Sequence, residues 1–210
     1  MLVPDPDCQL CPRLRGFRIE NRERFPGWHN APVPSFGNST ARLLIVGLAP
    51  GLRGANRTGR PFTGDHAGDL LFATLRAHGL AAGCYDRAAD DGLRLVGCRI
   101  SNAVRCVPPA NRPTPAEVRT CGRFLADEIA SLPGLRAVLA LGRVAHEAVL
   151  SALPADRRAF VFAHGALHAL RPGLVLADSY HCSRQNTNTG RLTPAMFDAV
   201  FRALRDSIGA

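Results

Sequence analysis

The sequence contains no lysine, so arginine alone carries its basic charge. A phosphate-binding loop of the G-x-x-x-x-G-K-[ST] type needs a lysine that reaches the outer phosphates, and its absence excludes that class of nucleotide-binding protein. The dinucleotide fingerprint G-x-G-x-x-G is also missing after the apolar run at residues 43–46. The formal net charge is +9. A GC-rich genome alone would favour arginine over lysine, but the net charge fits a polyanionic partner, because arginine makes forked contacts with phosphate.

Long apolar runs are missing as well. No stretch approaches eighteen consecutive apolar residues, and the first seven residues lack the basic-then-apolar pattern of a secretion signal. We therefore expect a cytoplasmic protein that makes no membrane contact. A length of 210 residues fits one domain. We expect a monomer with a single domain over residues 1–210, in which residues 1–40 form an N-terminal appendage.

Apolar runs alternate with helical patterns along the chain. The predicted strands lie at residues 43–46, about 93–104, 137–141 and 174–180, and residues 157–171 are predicted to be irregular. The pattern Thr114-Pro-Ala-Glu117 is a capping box that begins one of the intervening helices. Strands that alternate with helices predict an α/β fold, a three-layer α/β/α sandwich with a four-stranded parallel central sheet.

Polar loops follow three of these strands. Residues 51–65 form a loop with four glycines, which lets its backbone come close to a ligand. Asn102 lies near the end of the second strand and Asn111 lies in the proline-rich loop after it, whereas His181 follows the fourth strand. The carboxyl ends of parallel strands meet at one edge of a sheet, so we expect a ligand site there.

The seven cysteines fall into pairs and singles. In a reducing compartment they indicate metal ligands or inert core thiols rather than disulfides. The pairs are Cys8 with Cys11 and Cys106 with Cys121. The singles are Cys84, Cys98 and Cys182, and Cys84 is predicted to be an ordinary buried thiol. The helical pattern turns Cys121 inward, toward the strand end that supplies Cys106. Four thiolates suit either a zinc ion or an iron–sulfur cluster.

Three segments together carry a family resemblance: residues 47–51 with 58–65, residues 106–115, and residues 181–193. With the cysteine spacing, they closely resemble the iron–sulfur uracil-DNA glycosylases of prokaryotes, in particular the type b or family 5 branch, over nearly the whole chain. The resemblance implies hydrolysis of the N-glycosidic bond of uracil in DNA, the first step of base excision repair, with some other deaminated or damaged bases as further substrates. It also implies a structural [4Fe-4S] cluster on Cys8, Cys11, Cys106 and Cys121.

The sequence departs from the family pattern at visible positions. Cys182 follows the motif histidine where many relatives have proline, which we expect to alter only loop stiffness. Asn102 stands where type b members often carry alanine, and this difference bears on substrate range. Leu48 occupies the place of a polar, water-handling residue in other branches, as is typical of type b, so another residue must handle the water.

Glycosidic cleavage builds positive charge on the sugar and negative charge on the departing pyrimidine, so the site needs a donor at the base and an anion near the sugar. His181 is the predicted donor to the base oxygen. Asp65 is predicted to hold the attacking water and to face the sugar cation, with Asn111 orienting that water. The alternative for Asp65 is a helix N-cap.

Further residues are predicted to bind the substrate DNA. Phe62 is expected to stack on the extruded base, or else to anchor its loop in the core. Asn102 can accept from N3–H of uracil and donate to O4, or else it closes the strand end through its own backbone; Gly47 is also predicted to bind the substrate. Phosphate contacts are predicted for Arg60, Arg105, Arg112, Arg184 and Arg191, with a solvated surface charge as the alternative at each position.

The absence of lysine also bears on the reaction itself. A lyase that opens the sugar through a Schiff base normally uses a lysine amine, so we expect a monofunctional glycosylase. The expected partner is uracil-containing DNA, single- or double-stranded, which would place the protein at the nucleoid. Two rival interpretations use the same cysteines and charge: a zinc-stabilised nucleic-acid-binding module without catalysis, and a redox-sensing iron–sulfur protein.

Overall fold

A computed structural model describes residues 1–153, 155–156 and 158–208. The helices are α1 (Pro12–Arg24), α2 (Ala55–Thr58), α3 (His66–Ala77), α4 (Pro115–Ala130), α5 (Arg143–Ala152), α6 (Arg184–Asn188) and α7 (Pro194–Ile208). The strands are β1 (Leu43–Gly47), β2 (Ala81–Ala82), β3 (Arg94–Leu95), β4 (Cys98–Asn102), β5 (Ala137–Leu141), β6 (Leu167–Arg171) and β7 (Leu174–Ser179). None of the described helices is long and apolar enough to span a membrane.

The central sheet has five strands in the order β4-β1-β5-β7-β6. The first four are parallel, which confirms the predicted parallel strands, and β6 is antiparallel to β7. The prediction that residues 157–171 are irregular is wrong for β6. Its residues alternate between exposed and half-buried positions, as an edge strand does, so the sequence shows no continuous apolar run there. The predicted strand at 93–104 is divided, because β3 pairs with β2 in a separate two-stranded sheet.

Helices cover both faces of the sheet. Along β1, Leu43 and Ile45 point to the side that α3 and α7 cover, whereas Leu44 and Val46 point to the side of α4 and α5. All five residues of β1 are buried, as expected of a central parallel strand. The three-layer α/β/α arrangement predicted from the sequence is therefore confirmed, with one additional strand.

The N-terminal segment lies against the carboxyl end of β4 and against α4. Leu14 of α1 packs with Val104, Phe124 and two cysteines in a small apolar cluster. The Arg13 guanidinium forms an ion pair with Glu117 at 2.7 Å. Glu117 is also the third residue of the capping box at Thr114, which is present as predicted. The start of α4 is thus joined to α1 through one carboxylate.

Candidate active site and cysteine pocket

Gly47 brings two predicted substrate residues together at the carboxyl edge of the sheet. It lies opposite Asn102 in the parallel register of β1 and β4. A Cβ on Gly47 would lie 2.5 Å from the Asn102 Oδ1 and 2.6 Å from the Phe62 ring. Only glycine therefore allows the aromatic ring and the amide to meet at this point.

Phe62 is held in a costly backbone conformation. Its φ of +55° is rare for an aromatic residue, and such strain persists only where the surroundings enforce it. Its carbonyl oxygen lies so close to Gly68 of α3 that a Cβ there would be 1.8 Å away, and the Tyr85 hydroxyl donates to the same oxygen at 3.3 Å. The ring is 6% exposed and stacks on the His181 ring at 5.7 Å. The anchoring role is thus observed, and base stacking stays a prediction.

The side-chain oxygen of Asn102 lacks a hydrogen-bond donor among the residues that the structure describes. Asn102 is buried, and its Oδ1 has no hydrogen-bond partner within the described residues. A buried carbonyl left in this condition costs about 1–3 kcal/mol, and in a native protein it needs an explanation. Because this oxygen faces Gly47 and the ring of Phe62, a ligand in the same place would supply the missing donor.

His181 follows β7 and faces the same ring. Burial lowers the pKa of His181 to about 4, so its imidazole is neutral at pH 7. The loop behind it is fixed by α6, since the Asn186 amide donates to the His181 carbonyl at 2.8 Å. A second contact, between His66 Nε2 and Thr187 Oγ1 at 2.9 Å, joins α6 to the start of α3. This contact connects the His181 loop with the helix that Asp65 caps.

The two carboxylate oxygens of Asp65 have different surroundings. Oδ1 accepts from the Ala67 backbone at 3.1 Å and caps α3, so the N-cap alternative is observed. Oδ2 lies against Gly51 and Gly54, where a Cβ would be 2.9 Å and 2.4 Å away. Burial raises the pKa of Asp65, although the backbone N–H groups of Gly68 and Ala67 oppose that shift. Capping occupies one oxygen and leaves the other for a second role.

The structure does not bring Asn111 and Arg184 into contact with these groups. Both side chains are exposed, and Arg184 is the first residue of α6. Asn111 ends a 3-10 turn and has a φ of +55° directly after Ala110 at +53°. Two successive left-handed residues that are not glycine indicate a loop whose shape is enforced, which is frequent at functional sites.

Two of the five arginines predicted to contact phosphate are buried in ion pairs, so those two predictions are wrong. Arg60 is 5% exposed and binds both oxygens of Asp91, at 2.8 and 2.7 Å. Arg105 is equally buried and pairs with Glu128 at 2.5 Å. Both guanidinium groups bind carboxylates of the protein, so neither is available to contact phosphate. The other three, Arg112, Arg184 and Arg191, are exposed.

A pocket of about 580 Å³ beside His181 was not predicted. It is lined in part by Arg143, Arg191 and a stacked pair of rings, His164 on Tyr180 at 4.9 Å. The Tyr180 backbone donates to His164 Nδ1 at 3.1 Å, which leaves the hydrogen of this neutral ring on Nε2. These residues come from separate segments, so no sequence spacing could have revealed the pocket.

A second unpredicted cluster lies near the end of β7. The buried Asp178 carboxylate binds His146 Nδ1 at 2.8 Å and His168 Nε2 at 3.1 Å. The other nitrogen of His146 faces the Phe160 carbonyl at 3.1 Å. Both partners of His146 are hydrogen-bond acceptors, an arrangement that favours the protonated imidazole. Burial lowers the pKa of His146, but the bond to Asp178 and its charge outweigh burial, and that pKa is raised.

The two cysteine pairs line one pocket between α1, α4 and the end of β4. Its cysteines are Cys8, Cys11, Cys106 and Cys121. Among the described residues, three metal-ligand atoms lie within 4.8 Å of one another only at His146, His168 and Asp178, so no three of the four sulfurs are that close together. Four cysteines that line one pocket are consistent with a metal cluster.

A buried cation reinforces this fit. Arg18 Nη1 donates to the Cys106 sulfur at 3.5 Å, and its Nε has no hydrogen-bond partner in the described part of the chain. The three single cysteines lie elsewhere. Cys98 and Cys182 are buried thiols, but Cys84 is exposed, so its predicted burial is wrong. It lies in the polar connection between β2 and β3, which supplies too few apolar residues to cover it.

Comparison with known proteins assigns the family. The sequence model of the Uracil DNA glycosylase superfamily matches residues 34–205. The chain belongs to this superfamily. Within it, the chain is 49% identical over 196 residues to the Type-5 uracil-DNA glycosylase of Thermus thermophilus, covering 90% of this chain and 89% of the relative. It is 44% identical to the Type-5 uracil-DNA glycosylase of Mycobacterium bovis, covering 96% of this chain and 78% of the relative.

A third relative of the superfamily is similar over most of both chains. The Type-5 uracil-DNA glycosylase of Pyrobaculum aerophilum is 42% identical, and the match covers 93% of this chain and 87% of the relative. These three proteins confirm the resemblance to the type b or family 5 branch. Together with the buried cysteines, they are consistent with a metal cluster in this member of the uracil-DNA glycosylase superfamily.

Proposed function

We propose that this superfamily member is a monofunctional uracil-DNA glycosylase, which hydrolyses the N-glycosidic bond of uracil in DNA and begins base excision repair. The observation that carries the proposal is the buried, unpartnered Oδ1 of Asn102 beside Phe62 and His181. N3–H of uracil is the donor that this oxygen lacks, whereas cytosine presents an acceptor there. The names of the Type-5 relatives agree with this substrate.

His181 stabilises the departing base. With a pKa lowered to about 4, its neutral imidazole donates an N–H to the pyrimidine oxygen on which negative charge develops. The stacking of the ring on Phe62 fixes the direction of that donor. A fixed donor at a buried position needs no solvent reorganisation as charge develops, which is why it accelerates cleavage.

Asp65 acts on the sugar side of the bond. Its Oδ2 packs closely against Gly51 and Gly54, an approach that only residues without a side chain allow. The ionised carboxylate holds the attacking water and faces the positive charge of the sugar. In this proposal Asn111, whose side chain is exposed, orients the water once DNA is bound. Leu48 cannot take this role because its side chain is apolar.

The exposed arginines hold the DNA strand. Arg112, Arg184 and Arg191 follow the strand ends of β4 and β7, and their guanidinium groups contact phosphates around the extruded nucleotide. Extrusion costs a few kcal/mol of stacking, which contacts in the base site offset. The substrate is uracil-containing DNA, single- or double-stranded.

The cysteine pocket holds a [4Fe-4S] cluster in this proposal. Cys8 and Cys11 flank the start of α1, whereas Cys106 and Cys121 belong to the body of the fold. Bound by these four cysteines, a cluster would tie residues 1–40 covalently to the sheet and would take no part in bond cleavage. This role agrees with the position of the pocket outside the group of Asn102, His181 and Asp65.

The test is release of free uracil from a uracil-containing oligonucleotide by the iron-loaded protein. We expect free uracil and an intact abasic strand, because without lysine no Schiff base cleaves the sugar. The matched control is His181→Ala, which should bind the DNA and release far less uracil. DNA binding by both proteins without uracil release from either would show that the chain is a nucleic-acid-binding module.

A further inference from the structure

Arg18 is a buried cation in the wall of the cysteine pocket. It lies on α1, is 2% exposed, and forms no ion pair with any described residue. Nη2 donates to the Cys8 carbonyl at 2.8 Å, Nη1 donates to the Cys106 sulfur at 3.5 Å, and Nε has no acceptor. Arginine keeps its charge under all ordinary conditions, so a positive charge is fixed beside the sulfurs.

Nearby carboxylates do not neutralise this charge. The bond to Arg22 and, to a smaller degree, the charge of Arg18 lower the pKa of Asp7. However, Asp7 is largely exposed and binds Arg22 at 2.5 Å. Glu117 is engaged by Arg13 at 2.7 Å. By contrast, Arg105, which lines the same pocket, is compensated by Glu128. A guanidinium removed from water without a counter-charge is strongly unfavourable, so the pocket must supply negative charge from another source.

Four metal-bound thiolates supply that charge. Thiolates bind as anions, and together they outweigh the positive charge of the iron–sulfide core. Hydrogen bonds to cluster sulfurs and nearby charges are the means by which a protein sets the reduction potential and the durability of such a cluster. The contact from Arg18 Nη1 to the Cys106 sulfur supplies both at once.

We propose that Arg18 is the counter-ion of the cluster: it neutralises part of the cluster's negative charge and couples the docking of α1 to cluster occupancy. This inference rests on the [4Fe-4S] cluster of the proposed function and assigns a positioning role to one residue that binds no iron. It follows that loss of the cluster leaves a buried cation without its partner, which favours separation of α1 from α4.

The experiment compares wild type with Arg18→Gln, Arg18→Lys and the control Arg15→Met in the full-length, iron-loaded protein. Arg15 lies on the same helix but is exposed. The measurements are iron and sulfide per chain, the rate of cluster bleaching in air with a chelator, and the cluster reduction potential. For Arg18→Gln we expect bleaching about tenfold faster and a more negative potential, because reduction adds an electron that the cation no longer stabilises.

Arg18→Lys keeps the charge without the planar fork and should fall between Arg18→Gln and wild type. It keeps the inference testable where Arg18→Gln fails to fold. Bleaching rates and potentials of both Arg18 variants equal to those of Arg15→Met would overturn the counter-ion role alone. A wild-type protein that holds no iron and sulfide after anaerobic reconstitution would overturn the cluster and the counter-ion together.

Discussion

Two buried polar clusters of this protein differ in how completely their atoms are paired. In the group of His146, Asp178 and His168, both carboxylate oxygens have histidine partners and both nitrogens of His146 have acceptors. In the cysteine pocket, Arg18 lacks a counter-charge and an acceptor for Nε. Complete pairing indicates a structural role, since nothing further is needed for stability. Incomplete pairing indicates a partner that binds there.

The base site belongs to the second kind. Asn102 Oδ1 is unpaired although it is buried, and it lies among residues that the sequence motifs single out. Arg60 with Asp91 belongs to the first kind, whereas Arg105 has its charge compensated by Glu128 but leaves its Nε without a hydrogen-bond partner in the described part of the chain. Variants that break a completely paired cluster should therefore change stability, whereas variants of an incompletely paired cluster should change binding or rate.

The largest effect is expected where a complete cluster is broken. Asp178→Asn removes the carboxylate that bonds both His146 and His168, and the loss of two buried charge-assisted hydrogen bonds should lower the free energy of unfolding by about 3–5 kcal/mol. Urea denaturation of the iron-loaded protein measures this loss. The control is Asp198→Asn at a partly exposed pair with His78, where the loss should stay below about 1 kcal/mol. Equal losses at both positions would show that complete pairing of the Asp178 cluster adds no more stability than a partly exposed ion pair.

The next effect concerns rate rather than stability. His181→Ala and Asp65→Asn should each slow single-turnover uracil release by about a hundredfold to a thousandfold, because both groups act on charge that exists only in the transition state. Binding of uracil DNA should change little, which fluorescence anisotropy can measure beside the single-turnover assay. Near-normal rates in both variants would place the reacting groups elsewhere.

A smaller and selective effect is expected at Asn102. Asn102→Ala removes the unpaired acceptor and should slow uracil release by about tenfold, in line with the cost of one buried polar contact. Release of hypoxanthine should be less affected, because the larger purine places its N1–H and O6 farther from the glycosidic bond than N3–H and O4 of uracil. The two rates are compared on matched oligonucleotides. A decrease by the same factor on both bases would show that Asn102 only holds the loop.

The smallest effect concerns how the single-turnover rate depends on pH. Burial raises the pKa of Asp65 above its ordinary 3.8, so as pH falls the carboxylate gains its proton earlier than an exposed one. Single-turnover rates should therefore decline on the acidic side from a pH above 3.8, and protonation of His181, whose pKa is about 4, contributes to the same decline. Asp65→Asn should retain only the part that comes from His181. The same acidic profile in both proteins would exclude Asp65 as its source.

The parallel strands could be predicted because strands buried on both faces leave continuous apolar runs, as in β1 and β5. The edge strand β6 could not, since its alternating exposure resembles that of a loop with scattered polar residues. Helix α6, of only five residues, is too short to show a period. These errors share one cause: elements at the rim of the sheet have weaker hydrophobic patterns than those inside it.

The place of the candidate site was predictable because its motif residues follow strand ends, whereas the roles of these residues stay predictions. Gly47, Phe62 and His181 lie together at the expected edge, and Asp65 lies against Gly51 and Gly54 of the same loop. Pairing between distant residues was not predictable. The acids that bury Arg60 and Arg105 lie 31 and 23 positions away, and nothing in either segment distinguishes a buried arginine from an exposed one. The unpaired oxygen of Asn102 likewise depends on three-dimensional surroundings.

Because one carboxylate oxygen of Asp65 caps α3 and the other acts in the proposed reaction, a single substitution can separate stability from catalysis. Asparagine caps helices as well as aspartate does, so Asp65→Asn preserves the start of α3 while removing the charge. A single substitution would thus yield a protein that folds, recognises uracil in DNA and stays bound without releasing it. Such a protein marks lesions instead of processing them, and it would hold an intact complex for structural study.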